Sequence, residues 1–370
     1  MGFGTRSQRF LTCYNLAPGG PWEGEMSVVT HVLMRDAALC GALVLALALP
    51  LGPAQAQSES YVMKFSTPTV NDVPDQFSKL LGMALEKDSG GRIKPEYFPA
   101  SQLGSMPRQI EGTQFGAIQC DVIPPEFFSG VDERFGVMAA PGLVDSLEHG
   151  QRIAADPAVL KLMLSLGADK GLHGVALFMA EPSALLTKTG VRQLDDFKGK
   201  KLRIFASQFQ SMGFERLGAT PVAMSLGDVL PAIQQGAIDG AISGVGPYTH
   251  MHFIDAAKYI TLTNQPAIFL IAEVSKKWYD ALPKDLQALI DKDAGAAAIA
   301  VNPWAANFRK SNEVLWTSSG GELIKLPTDQ QASMMKTLAS VGADVSKAKP
   351  ELAAAYKTVA DAAQRLIQGD

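Results

Sequence analysis

Arg203 is the residue of this sequence best suited to chemistry and hardest to explain as scaffold. It lies in a short β-like run, Lys201-Leu-Arg-Ile-Phe205. Strand alternation sets Leu202 and Ile204 on one face and Lys201, Arg203 and Phe205 on the other. The run ends in Ala206-Ser207, and the spacing beyond it predicts a helix over about 209–217. Side chains at the C-terminal end of such a strand point into the crevice where open α/β sheets bind ligands. A guanidinium there is a planar fork that matches a carboxylate. A salt bridge or an exposed strand-end charge is the plainer alternative on these residues alone.

Other chemistries find less support. His250-Met-His252 could set two imidazoles on one strand face for a metal, but no cysteine or carboxylate cluster accompanies them. They read as ordinary loop or helix-start histidines. Gly240-Ala-Ile-Ser-Gly244 is one residue out of register for a nucleophile elbow, and no histidine–acid pair is evident. Gly-rich phosphate motifs, GxxxxGK[ST] and GxGxxG, do not occur. Neither a metal nor a cofactor is expected. Cys120, in the apolar run Ala117 to Ile123, reads as a small buried hydrophobe. Tyr248 and Asn264-Gln265 fall on segments that either line a cleft or simply pack.

The elements that position Arg203 begin well upstream. A strand at Tyr61 to Phe65, a helix from Pro74 to Ser89 stopped by Gly90-Gly91, and a strand from Arg92 to Phe98 come first. A helix around 106–112 and a strand around 118–123 complete a βαβαβ pattern, the mark of a mostly parallel sheet covered by helices. Pro124-Pro125 ends that strand, and Phe127-Phe128 follow in a loop expected to face a cleft. Helices are predicted within 146–171 and a strand over 174–179. A second α/β set then starts near Glu181 and contains Arg203. Leu270 to Val274 is a strand, followed by a helical start at 276–279. Leu282 to Leu315 reads as one long helical pattern with a kink at Pro303. Its Ala/Leu stripe over 286–300 is core, and its length suits an element shared by two lobes. A strand at 322–325 and helices at 327–346 and 350–367 close the chain. The fold class is α/β with two lobes.

Composition narrows the partners. The chain has 370 residues and a net charge of -4, so neither nucleic acid nor an anionic membrane surface is implied. Near the start, Met34-Arg35, the apolar run Ala37 to Leu51 and Ala54-Gln55-Ala56 read as a secretory signal with cleavage before Gln57. Residues 1–33 read as an upstream extension from a misassigned translation start. The apolar run is too short for a membrane span, and Cys40 lacks the context of a lipidation site. Cys13 and Cys40 would leave with this segment, so the exported chain relies on its core rather than a disulfide.

Several short motifs together resemble a known family. They are Pro99-Ala-Ser-Gln-Leu-Gly104, Asp195-Asp-Phe-Lys-Gly-Lys-Lys-Leu-Arg203 and Leu217-Gly-Ala-Thr-Pro-Val-Ala-Met-Ser225. Ala232-Ile-Gln-Gln-Gly-Ala-Ile-Asp-Gly240 and Leu282-Pro-Lys-Asp-Leu286 continue the series. In this order and spacing the chain resembles substrate-binding proteins of tripartite ATP-independent periplasmic (TRAP) transporters, of the dicarboxylate-binding-subunit type, across about 60–368. The resemblance implies a periplasmic receptor, not an enzyme. It would be a monomer that closes two lobes on an organic acid and delivers it to an ion-driven membrane permease. An exported hydrolase-like enzyme or a ligand-sensing module for a signalling partner is the alternative. The lobes expected are 57–180 with 269–308, and 181–268 with 309–370.

The resemblance also implies site residues. Arg203 matches the family's carboxylate clamp. Phe205 stands where relatives have proline, and Ala206 where sialic-acid binders have asparagine. Ser243 replaces the asparagine that helps hold the carboxylate, and its hydroxyl can still donate one hydrogen bond. A second arginine found in some relatives is missing around Glu181-Pro-Ser183. The acidic positions of sialic-acid binders fall near Met106 and Pro124, and an aromatic becomes Leu226. Thr67 and Tyr248 complete the expected lining. These departures lean apolar, so the expected ligand is a monocarboxylate with an apolar or aromatic body. Some relatives hold a cation beside the carboxylate.

Overall fold

The computed structural model describes residues 59–367. The secretory-signal segment and residues 1–33 lie outside the described residues. Among the described residues eleven strands form two sheets. β1 (Tyr61–Ser66), β2 (Ile93–Phe98), β3 (Cys120–Ile123), β4 (Leu172–Pro182) and β10 (Ala267–Ser275) make the first, in the order β2-β1-β3-β10-β4. The second comprises β5 (Ala184–Thr187), β6 (Lys201–Ile204), β7 (Thr220–Ala223), β8 (Gly240–Ser243), β9 (Tyr259–Thr261) and β11 (Glu322–Ile324). Its order is β11-β9-β5-β8-β6-β7. β1 runs parallel to β2 and β3, while β10 is antiparallel to β3 and β4. β6 runs parallel to both β7 and β8. The chain passes between the sheets after β4, after β9 and again between β10 and β11.

Helix 73–88 shows how sequence sets the packing. Pro74 and Asp75 occupy its first turn, Lys87 its last, and Gly90 and Gly91 follow at positive φ. Val73, Phe77, Leu81 and Leu85 recur every four residues and are all buried. They pack in one core with Leu286, Ile290, Ala294 and Ala297 of helix 284–300, which lies against helix 73–88. Each large apolar side chain so buried contributes about 1.5–3 kcal/mol.

The long pattern expected over 282–315 divides into helices Lys284–Ala300 and Asn302–Ser318, meeting at Val301. Pro303 falls in the first turn of the second helix, where its missing N–H costs least. Helix 284–300 packs on the first sheet's β4. Helix 302–318 reaches helix 245–250 and β11 of the second.

The C-terminal helix, Pro350–Ile367, differs from the sequence reading that grouped it with the second lobe. Its buried Leu352, Ala355, Val359 and Ala362 share a core with Ile153, Val159 and Met163 of the first. His149 Nε2 lies 2.9 Å from the Ala363 carbonyl oxygen, and Arg365 pairs with Asp156. The helix's apolar stripe matches the gap left by helices 147–154 and 157–165, so the chain returns to where it started.

Candidate functional site: a guanidinium in a cavity between the sheets

Arg203 is one residue from the end of β6, paired with Val222 of β7 and Ala241 of β8. Strands on both sides leave the side chain 1% exposed. Nε donates to the Met224 carbonyl at 2.9 Å, and Nη1 donates to the Ile242 carbonyl at 2.8 Å. Both acceptors are neutral main-chain groups at or just beyond the flanking strands. They orient the fork without cancelling its charge. Nη2 has no hydrogen-bond partner among the described residues, and none of their carboxylates forms an ion pair with Arg203. Burial pushes the guanidinium down to about 10, against the pull of Tyr248, Glu126 and Asp228, so it remains a cation at neutral pH.

Arg203 lines a hollow of about 520 Å³, counted as atom-free space to its mouth. The loops after β1 and β3 supply Thr69, Asp72, Val73, Pro124 and Phe127. The ends of β6 and β8 supply Arg203, Phe205, Ser243 and Gly244, and the crossing strands add Ala180, Glu181, Ile268 and Leu270. Ligand crevices form in this way, outside the carboxyl ends of parallel strands. Most of the wall is apolar, so a charge held there keeps much of its strength.

Two buried acids, Asp72 and Glu181, line the hollow, and a third, Glu126, is close enough to feel the charge of Arg203. Burial raises Asp72 to about 7, and the charge of Glu181 adds to the effect. Glu181 is also raised to about 7 by burial, against Arg309 and the Val245 N–H that its Oε2 accepts at 3.1 Å. Glu126 rises to about 7 by burial, although Arg203 opposes it. Glu126 Oε1 accepts from Gln210 Nε2 at 3.0 Å, and Gln210 Oε1 accepts from the Phe205 N–H at 2.8 Å. This buried chain joins the loop after β3 to the helix after β6.

The residues singled out from the sequence divide into two groups. Arg203, Ser243, Phe205, Leu226, Pro124 and Glu181 all line the hollow, as does Met106. Ala206, Ser183, Thr67 and Tyr248 do not line it. Ala206 is exposed, two residues beyond the end of β6 in the bend that leads to the next helix. Ser183 is fully buried at the crossing from β4 to β5, where its N–H bonds to the Pro266 carbonyl. Thr67 turns its hydroxyl back to the Thr69 carbonyl at 2.8 Å. Tyr248 is buried, with its hydroxyl on the Ala241 carbonyl and its ring against Phe253. Phe127 lines the hollow, whereas Phe128 turns into the core against Phe135.

Asp72, Thr69 and Gln210 were not picked out from the sequence. Asp72 is the residue just before helix 73–88, yet its side chain makes no cap hydrogen bond there. His250 stacks on Phe308 with ring centroids 5.5 Å apart. Among the described residues no group of three or more His, Cys, Asp or Glu could hold a metal ion. No described helix is long and apolar enough to cross a membrane.

Comparison with known proteins gives consistent matches. The profile of the DctP family, bacterial extracellular solute-binding protein family 7, matches residues 60–348. The C4-dicarboxylate-binding periplasmic protein DctP of Rhodobacter capsulatus is 27% identical over 314 residues, 82% of this chain and 91% of that one. The uncharacterized protein YiiZ of Salmonella typhimurium is 29% identical over 199 residues, 53% of this chain and 61% of that one. A TRAP periplasmic solute binding protein from Desulfovibrio salexigens, solved with bound orotic acid, superposes with a TM-score of 0.78 at 19% identity. The superposition covers 83% of this chain and 100% of that one.

Proposed function

The chain belongs to bacterial extracellular solute-binding protein family 7, and from that premise we propose a periplasmic receptor for an organic monocarboxylate. One observation supports this above the others: a fully buried guanidinium in a cavity wall, tethered by two carbonyls and paired with no acid. Burying an unpaired charge is costly, and a ligand carboxylate is the group that would complete it. Nη2 supplies the free edge of the fork, and the Ser243 hydroxyl can add one donor. The apolar body of the ligand would lie against Phe205, Phe127, Leu226 and Ile268.

The ligands named for these relatives, a C4-dicarboxylate and orotic acid, are likewise organic carboxylates. The protein would act as a monomer that closes its two lobes over the acid and presents it to TRAP permease subunits. Titration calorimetry with a bound acid and the Arg203→Ala variant tests the assignment. Removing the guanidinium strands a buried carboxylate at about 3–5 kcal/mol, or roughly two to four decades in Kd. Affinity kept within a factor of a few in a folded variant would sink it.

A further inference from the structure

The hollow holds buried polar groups that a plain carboxylate leaves unused. Asp72 is 3% exposed, lines the hollow, and its Oδ1 has no hydrogen-bond partner among the described residues. It precedes helix 73–88 and its side chain makes no cap hydrogen bond, although the Thr69 hydroxyl and the Asp75 N–H are near enough to favour its carboxylate. Thr69 Oγ1 lies in the same wall, 4% exposed by residue and likewise unpartnered. Glu181 is 3% exposed and keeps Oε1 against Gly244, where an added Cβ would come within 1.8 Å.

The charged neighbours do not satisfy these acids. Arg309, the cation closest in effect to Glu181, has Nε on Glu313 at 3.0 Å and Nη1 on the Pro182 carbonyl at 2.8 Å. Its Nη2 donates to Asn264 Oδ1 at 3.2 Å. Asp75, beside Asp72 in sequence, is paired with Lys79. Buried oxygens of this kind are normally satisfied, and an exception calls for an explanation.

We propose that the ligand is a carboxylate that also bears a hydrogen-bond donor, hydroxyl or ammonium, and that Asp72 and Glu181 receive this donor. The assignment rests on Arg203 as the carboxylate clamp. It distinguishes this site from one built for a dicarboxylate, whose second carboxylate brings no donor to these two acids. It also excludes a wholly apolar tail, which would leave Asp72 Oδ1 buried and unpaired.

Matched acids measure the difference. Titration calorimetry would use straight-chain acids of four to six carbons, each as the plain acid, the ω-hydroxy acid, the ω-amino acid and the α,ω-diacid. A second frame would be 4-methylbenzoate with its 4-hydroxymethyl, 4-aminomethyl and 4-carboxy counterparts. The donor-bearing member of the best-fitting set should bind at least about tenfold more tightly than the plain acid and the diacid. Whether hydroxyl or ammonium leads identifies the donor. In Asp72→Ala and Glu181→Gln, checked for folding by thermal melting, the ratio of donor-bearing to plain-acid affinity should shrink toward unity. If plain acids or diacids bind best, or the preference survives both variants, the donor assignment fails and the clamp stands. If no acid binds the folded protein, clamp and donor assignment fall together.

Discussion

Arg203 and Phe205 stand two residues apart in one extended run, and the guanidinium carbon lies 4.6 Å from the Phe205 ring centroid. The ring covers one side of the fork, while the Met224 and Ile242 carbonyls hold its edge. Strand alternation produces this arrangement, because residues i and i+2 share a face. A cation so enclosed is oriented before any ligand arrives.

That orientation makes lysine a poor substitute at position 203. Arg203→Lys keeps a charge but loses the fork, and one ammonium cannot reach both carbonyls and a carboxylate bidentately. We expect its affinity for a carboxylate ligand to lie within about tenfold of Arg203→Ala rather than near wild type. Phe205→Leu removes only the ring face, with an expected loss of about 0.5–2 kcal/mol of binding. Calorimetry on the three variants checks the order. Lysine matching wild type would show that charge alone suffices.

Gln210 holds this strand end by its side-chain amide, which binds the main chain of Phe205. Its amide accepts from the Phe205 N–H and donates to Glu126 across the lobes. In Gln210→Leu both partners remain buried and unpaired, at roughly 1–3 kcal/mol each. The expected outcome is a lower urea midpoint together with weaker ligand binding. An unchanged midpoint would mean that water or another side chain takes over both bonds.

The contrast between Arg203 and Asp72 marks how far the sequence could be read. Arg203 was legible because a charge inside a Leu-x-Ile strand has few structural uses, and the strand's direction points it at the crevice. Most strands and the helices beside them were legible for the same reason, periodicity of 2 or 3.6 bounded by Gly and Pro. Asp72 was not, since an acid before Val-Pro at a helix start is ordinary local chemistry, and only tertiary burial makes it odd. Gln210 faces inward from a short helix with no flanking pattern to mark it. The home of helix 350–367 was equally hidden: its apolar stripe requires a partner but does not say which lobe provides it.

Gly244 should be intolerant of any side chain. A Cβ there would lie 1.8 Å from Glu181 Oε1 and 2.3 Å from its carboxyl carbon. Gly244→Ala must therefore displace Glu181, whose Oε2 is held by the Val245 N–H. The shift reaches the cavity wall, so ligand affinity should fall at least about tenfold, with a destabilisation of about 1–3 kcal/mol from the disturbed buried acid. Calorimetry and chemical denaturation of the variant check both parts. Wild-type affinity in Gly244→Ala would remove Glu181 from the site.

Stability should fall as pH rises through neutrality. Burial raises Asp72, Glu126 and Glu181 to about 7 and Asp121 to about 8, and it drives Glu273 well up. Asp121 and Glu273 face each other in register on β3 and β10, with all four carboxylate oxygens unpartnered among the described residues. Like charges at that spacing resist joint ionisation. In the unfolded chain these groups titrate near about 4. Between that value and about 8 the native state therefore binds more protons than the unfolded state, and stability declines with rising pH. Asp344 opposes this, its carboxyl held down to about 2 by Arg216, but its effect is felt only below about 4. Thermal melts of the ligand-free protein from pH 5.5 to 8.5 should show Tm falling steadily. Asp121→Asn should flatten that slope and raise Tm more at pH 8.5 than at pH 5.5, because it removes one of the two facing charges. A Tm that is level or climbs over this range would mean that these acids are ionised and solvated in the folded protein.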